Sequence, residues 1–418
     1  MAQLSDDCFA FGGTLLPVEE AARLMAAHVP PVAEVEKVSL TDALGRVIAR
    51  DVTSAVALPP FDNSAVDGYA VRHADLAKSG ETRLTATGRV PAGSRAAAAV
   101  GAEEAIRIFT GAPMPQGADT VFMQEDVRAE DGTVICPAGL KPGANRRLAG
   151  EDLKAGAVAL PAGRRLGPQD IALAAAIGLT HLEVRRRPRV AVFSTGDEIA
   201  EPGTPLGPNA LYDANRFLLL ALLREAGAEA HDLGILRDDP ASLAPALEAA
   251  SADHDLILTS GGVSTGEADF VKAAVESIGK LVFWRLAIKP GRPVAMGVVR
   301  GTAFAGLPGN PVAVFVTFVH VVRPLLMRLA GATMTPIAAM PVRAAFSYRK
   351  KKGRREYVRV GLRRAADGAI EAVKHPQEGA GILTSLTETD GLAELEEDRV
   401  DVTPGSTVGF LSYASLIG

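Results

Sequence analysis

Cysteine is almost missing. Cys8 and Cys136 are the two in 418 residues, too few for a disulfide framework and without the C-x-x-C spacing of a zinc or redox site. Aromatic residues reach only 5%, with one Trp, so interior volume falls mainly to Ala, Val and Leu. Neither sign of charge prevails: 44 basic against 49 acidic side chains leave −5, and no overall field draws nucleic acid or an anionic membrane. The longest apolar run, Pro311 to Val322, is short for a bilayer and is interrupted by His320. The N-terminal MAQLSDDCFA lacks a cationic stretch followed by an apolar one. These absences lead us to expect a cytoplasmic protein with no targeting segment, no membrane and no nucleic-acid partner.

What is present is ordinary globular material in quantity. Apolar residues make up 48% and charged residues 22%, and the length calls for several cores. Helical spacing in Leu16–His28, around Leu40–Val47 and in Gly167–Ile177 predicts a helical domain from 1–57 and 145–187, a linker or dimerisation element. Between its halves, 58–144 reads as an inserted β-rich domain, with strands over Gly68–Val71, Arg83–Val90, Ala105–Phe109, Thr120–Gln124 and Thr133–Cys136. From 188 to 335 the rhythm changes. Strands at Arg189–Ser194, Ala230–Leu236, Asp255–Thr259, Leu281–Trp284 and Thr302–Leu307 alternate with helices at Asn215–Ala226, Pro240–Ala252, Ala268–Ile278 and Pro311–Leu329. That alternation predicts an α/β domain with a mostly parallel sheet, whose ligands sit beyond the carboxyl ends of the strands. From 336 to 418 short alternating strands predict a closing β-barrel or sandwich.

The loops after those strands hold the chemistry. Thr259-Ser260-Gly261-Gly262-Val263-Ser264 follows a strand and precedes a helix, so its backbone N–H groups are placed to cradle phosphate oxygens. It matches neither the Walker A nor the dinucleotide-binding spacing, and a glycine-rich turn also serves plain packing. Glu198, Asp238, Asp239, Asp213 and Leu307-Pro308-Gly309-Asn310 fall on other loops of the same edge; Asp239 and Asp213 read equally as helix caps. Acids gathered near an anion require a cation. Mg²⁺, which takes one or two carboxylates plus phosphate oxygens, suits better than zinc, because the seven histidines are scattered. Arg285, Lys289 and Arg292, set in a Pro-Gly-x-Pro frame, supply positive charge for an oxyanion. The basic clusters 185–189 and 349–355 read as solvated faces unless a partner lies nearby.

The strings FDNSAVDGYAV, RIFTGAPMPQGAD, RRLAGEDL, VAVFSTGDE, YDANR, RDDP, TSGGVSTGEADF, AIKPGRP and LPGNPVA, in that order along the chain, closely resemble the molybdopterin molybdenumtransferases (molybdenum insertases), the family that includes the C-terminal region of gephyrin. The resemblance implies the four-part architecture above and an elongated homodimer. It also implies Mg²⁺-dependent insertion of molybdenum from molybdate into adenylylated molybdopterin, releasing AMP and giving molybdenum cofactor. Family functional positions carry over to Asp67, Thr110, Asp152, Glu198, Asp238, Asp269, Lys289 and Arg354. On this reading Glu198, Asp238 and Asp269 serve Mg²⁺, while Lys289 and Arg354 neutralise molybdate. Thr259, Ser260, Gly261, Gly262, Ser264, Pro308, Gly309, Asn310 and Arg285 bind the pterin substrate, and Asp67, Thr110 and Asp152 act across a dimer cleft. Implied partners are a molybdopterin adenylyltransferase and downstream cofactor-maturation enzymes. Two departures stand out: Arg285 replaces a Lys common in relatives, and Glu378-Gly379-Ala380-Gly381 lacks their Ser, leaving Thr384 or Ser385 as stand-ins. The rival readings are a molybdopterin adenylyltransferase, which leaves most of the chain idle, and a non-enzymatic scaffold.

Overall fold

Val190–Phe193 and Leu256–Leu258 are unbroken apolar runs, and every residue in them is 0% exposed, as strands covered on both faces require. The structure is a computed structural model and describes residues 3–12, 15–32, 34–93, 99–236, 239–261 and 270–417. Two compact units emerge. One holds 50–162 and 168–181; the other holds 1–49, 163–167 and 182–418. Residues 1–57 and 145–187, expected together as a helical domain, carry two α-helices that fall in different units: α1 (Val18–His28) and α2 (Pro168–Ala176). The helix expected over Leu40–Val47 is instead a single 3-10 turn, Leu40–Asp42.

The inserted unit is built on a six-stranded sheet. Its strands are β1 (Gly68–Val71), β2 (Glu81–Val90), β3 (Glu104–Ile108), β4 (Thr120–Met123), β5 (Arg128–Glu130) and β6 (Thr133–Pro137), in the order β4-β1-β3-β2-β6-β5. β5 escaped the sequence reading because all three of its residues are polar or small and exposed at the sheet's edge, where no alternation is needed.

The larger unit centres on a second six-stranded sheet. Its elements in chain order are β7 (Arg189–Thr195), α3 (Ala214–Glu225), β8 (Glu229–Leu236), α4 (Pro240–Asp253), β9 (Leu256–Ser260), α5 (Phe270–Ile278), β10 (Gly279–Arg285), β11 (Pro293–Val299) and β12 (Thr302–Leu307). The order is β8-β7-β9-β12-β11-β10. The first four strands are parallel, and β11 and β10 then run antiparallel. β11 was missed: its opening Pro293 and internal Gly297 mask a strand, although Pro is tolerated at a strand's first residue. The segment Pro311–Leu329 is long and apolar enough to cross a membrane, yet most of it is buried inside the protein as a core helix. It runs as α6 (Pro311–Thr317), a π-helical turn at Phe318–Val322 and α7 (Arg323–Leu329). Pro324 at the start of α7 has no N–H to give the preceding turn, a local reason for the widened helix.

The chain closes with a five-stranded barrel. β13 (Met340–Ala344), β14 (Arg355–Arg364), β15 (Ile370–Lys374), β16 (Gly391–Leu395) and β17 (Thr407–Ser412) pair in the order β14-β15-β13-β17-β16, and β16 returns to β14. Val342, Phe346, Val358, Val360, Ala393 and Phe410 fill it. Closure removes the exposed sheet edge. One further pairing matters for the site: Ile288–Lys289 lies parallel to Arg355–Glu356 at the start of β14, tying a loop of the α/β sheet to the barrel.

Candidate functional site

Two cavities meet at the loop after β12. The smaller, about 210 Å³, lies beyond the carboxyl ends of β7 and β9 and is lined by Ser194, Thr195, Glu198, Asn215, Ser260, Gly261 and Gly309, among others. Its walls end in unspent donors. The hydroxyls of Ser194 and Thr195 are buried and have no hydrogen-bond partner. An unsatisfied buried polar group costs about 1–3 kcal/mol, so two side by side in one wall mark a place shaped for polar oxygens from outside the chain. The loop itself is held by Gly261 N–H donating to Leu307 O (3.0 Å), Ser260 Oγ to Pro308 O (3.2 Å) and Asn215 Nδ2 to Gly309 O (2.6 Å). Gly261 has φ +85°, a conformation that favours glycine.

The acids on this edge divide by role. Glu198 is exposed and lines the cavity. Asp213 caps α3, accepting from Arg216 N–H (3.1 Å), and also receives Arg216 Nε (2.8 Å). Arg216, 2% exposed, is held by Asp213, Asp232 and Glu201 as well; those partners raise its pKa against the opposing pull of burial. Asp213 is therefore structural. Asp239 caps α4 through Ser242 N–H (3.0 Å). Asp238, Gly262, Ser264 and Asp269 lie outside the described residues. Among the described residues no cluster of three His, Cys, Asp or Glu forms a complete metal site. Glu198 beside unpaired hydroxyls fits the one-carboxylate-plus-phosphate manner in which Mg²⁺ is bound.

The larger cavity, about 360 Å³, is walled by Lys289, Arg292, Pro308, Asn310, Tyr348, Tyr357, Arg359, Lys374 and His375 among others. It lies where the 289–293 loop and the 308–313 turn meet the barrel. Gly291 sits at φ +97°, and a Cβ there would come 2.4 Å from Thr317 Oγ1, so the loop follows α6 as only glycine allows. Arg359 is 5% exposed. Its Nε donates to Ser385 Oγ (3.0 Å), and its Nη2 donates to the carbonyls of Gln377 and Gly379 (both 3.1 Å). Burial lowers its pKa from the usual guanidinium value. Lys374 pairs with Glu378. His375 is held by Glu388, at 3.0 Å.

Some expected residues fall elsewhere. Arg285 is exposed and Arg354 turns its Nε to Glu356 Oε1 (2.7 Å); neither lines the larger cavity. Ser385 donates to Ile382 O (2.6 Å) while receiving Arg359, so it anchors the arginine, and Thr384 is absent from the wall. The sequence reading missed Arg359. Its only signal was a charge inside Tyr357-Val358-Arg359-Val360, a run the barrel should bury. In the inserted unit, Asp67 Oδ1 receives both Thr110 N–H (2.8 Å) and Thr110 Oγ1 (2.7 Å), which hold its carboxyl below the usual range. Asp152 is exposed, with its N–H donated to Leu58 O (3.1 Å). The arginines of 185–187 are used structurally: Arg186 grips the buried Asp255 with both Nη (3.0 Å each), and Arg187 donates to Gly227 O (3.1 Å).

The fold and cavities define a multidomain protein whose α/β sheet presents a polar cavity at its carboxyl edge, next to a cation-lined cavity where its loops meet the barrel. Family models account for most of the chain: the MoeA N-terminal region (domain I and II) over 16–178, a probable molybdopterin binding domain over 191–328, and the MoeA C-terminal region (domain IV) over 341–413. Molybdopterin molybdenumtransferase of Haemophilus influenzae is 38% identical over 97% of this chain and 100% of that protein. Molybdopterin molybdenumtransferase 2 of Mycobacterium tuberculosis is 38% identical over 88% of this chain and 93% of its own length. The crystal structure of the molybdopterin biosynthesis moeA protein from Pyrococcus horikoshii OT3 superimposes with a TM-score of 0.80 at 31% identity, covering 96% of this chain and 100% of that one. The chain belongs to the molybdopterin molybdenumtransferase family.

Proposed function

We propose that the protein is a transferase of molybdenum cofactor synthesis that inserts molybdenum from molybdate into adenylylated molybdopterin and releases AMP. The observation that carries this reading is the larger cavity. Molybdate is a tetrahedral dianion and needs fixed cations or N–H donors around it; Lys289, Arg292, Arg359 and Lys374 surround one space, and Arg359 is held rigid by three acceptors. The smaller cavity shares the 308–311 turn with it. In this reading the hydroxyls of Ser194 and Thr195 and the amide groups of the Thr259–Ser264 loop hold phosphate oxygens of the adenylylated pterin. Pro308, Gly309 and Asn310 separate the phosphate end from the oxyanion.

Glu198, with Asp238 and Asp269, would hold Mg²⁺, which when bound supplies Lewis-acid polarisation of the pyrophosphate. Asp67, Thr110 and Asp152 are proposed to complete the site from the partner of a homodimer. A molybdopterin adenylyltransferase would supply the substrate, and cofactor-maturation enzymes would take the product. AMP release that requires both molybdate and adenylylated molybdopterin supports this function. Accumulation of adenylylated molybdopterin from molybdopterin and ATP would instead favour the adenylyltransferase reading, and a protein that releases no AMP under either condition would favour a scaffold.

A further inference from the structure

We infer that Glu356, a buried carboxylate outside the larger cavity's wall, is a positioning residue that sets Lys289 for the oxyanion. The inference rests on the reading of that cavity as a molybdate site.

Glu356 is 1% exposed. A carboxylate at such a depth needs cations and donors around it, and Glu356 has them. Oε1 receives Arg354 Nε (2.7 Å). Oε2 receives Tyr348 Oη (2.7 Å) and lies 3.3 Å from Lys289 Nζ. Lys289 in turn donates to Tyr348 Oη (3.2 Å). Burial and the neighbouring Glu356 raise the Tyr348 phenol well above its usual value, so the ring keeps its proton and its role as donor to Glu356.

The backbone fixes the same arrangement. Lys289 and Glu356 are register partners in the short parallel ladder between the 288–289 segment and β14, which places lysine and carboxylate side by side before any ligand arrives.

A lysine ammonium has three N–H donors and no preferred fork. One is given to Tyr348 Oη, and the ammonium stands 3.3 Å from Glu356 Oε2 as an ion pair, which leaves N–H donors for a ligand. Lys289 is about half exposed and shares its cavity with Arg292, Arg359 and Lys374. Without a nearby negative charge its favourable position is away from them, in solvent. Glu356 offsets that repulsion while the cavity is empty. Arg354 therefore bears on the site through Glu356, one step removed from the anion, while Tyr348 touches both Glu356 and Lys289.

Molybdate binding to the full-length protein, followed by calorimetry, tests this, with KM and kcat for molybdate measured alongside. Glu356→Gln keeps the size and removes the charge. We expect it to weaken molybdate binding about tenfold or more, a change of about 1.4 kcal/mol per decade, and to raise KM far more than it lowers kcat. Glu356→Asp keeps the charge on a shorter arm and should recover part of the loss. Should Glu356→Gln fail to fold, Tyr348→Phe removes one donor to the same carboxylate and should weaken binding several-fold. Binding within twofold of wild type in Glu356→Gln, with Lys289→Ala still losing it, would overturn the positioning role and leave the cavity assignment standing. Molybdate binding that Lys289→Ala does not change would overturn both.

Discussion

The two cavities are neighbours built on opposite principles. In the smaller one two hydroxyls, those of Ser194 and Thr195, are neutral, buried and without a partner, beside the exposed Glu198. In the larger one the polar groups are charged and already engaged, Lys289 with Glu356, Lys374 with Glu378 and Arg359 with three acceptors. Neutral donors can wait unpaired at a modest cost, whereas crowded cations need counter-charges to stay in place. The contrast suits a phosphate held by many small donors on one side and a compact dianion held by charge on the other.

The largest expected effect is at Lys289. Truncating one partner of a buried charge pair costs about 2–5 kcal/mol; with Lys289 about half exposed the low end applies, so Lys289→Ala should raise the molybdate concentration needed for half-maximal AMP release by about 30-fold. Unchanged molybdate dependence would remove Lys289 from the anion's surroundings. Next is Ser194→Ala. A hydrogen bond to a charged group is worth about 1.5–3 kcal/mol, so AMP should bind roughly ten- to a hundredfold more weakly. Because this hydroxyl has no partner within the protein, the melting temperature should hold or rise slightly. A clear loss of stability with intact AMP binding would erase the distinction between the cavities.

Acid should separate them too. The ring of His320 stacks on Tyr357 at 4.3 Å between centroids, and Tyr357 is in the wall of the larger cavity. Burial, with Arg355 and Arg323 nearby, pushes the His320 pKa down to about 3. The folded protein therefore binds this proton less readily than the unfolded chain does. The resulting stability is fully present above about pH 6.5 and is lost as pH falls from there toward about 3, by at most about 1.4 kcal/mol per pH unit. His320→Phe should flatten that part of the stability curve in urea titrations; an unchanged curve would show that His320 does not carry it. The smallest effect is expected at Thr110. Thr110→Val removes one of the two hydrogen bonds that depress Asp67, so the Asp67 carboxyl, followed by NMR, should titrate at higher pH, closer to its ordinary value. An unmoved titration would mean that the backbone N–H alone suffices.

The smaller cavity was the legible one. Its Ser260 and Gly261 stand at the end of β9, and glycine at such a junction announces close backbone approach to a ligand. The capping roles of Asp213 and Asp239 were likewise open to reading, because each stands directly before a helix. The larger cavity draws on 289–293, 308–313, 348–359 and 374–380, and nothing local indicates that these stretches meet. Arg359 was hidden for that reason. Glu356 was hidden because a carboxylate at a strand's beginning reads as a surface residue until the barrel closes over it. β11 was lost to its proline and glycine, and the π-helical turn at 318–322 leaves no mark in the apolar pattern.

Diffraction from crystals grown or soaked with molybdate or tungstate most directly tests whether the cation-lined cavity is the oxyanion site. A heavy-atom anomalous peak is expected among Lys289, Arg292 and Arg359, with Lys289 Nζ within hydrogen-bond reach of an oxyanion oxygen. A peak among Ser194, Thr195 and Gly261 with the larger cavity empty would contradict it.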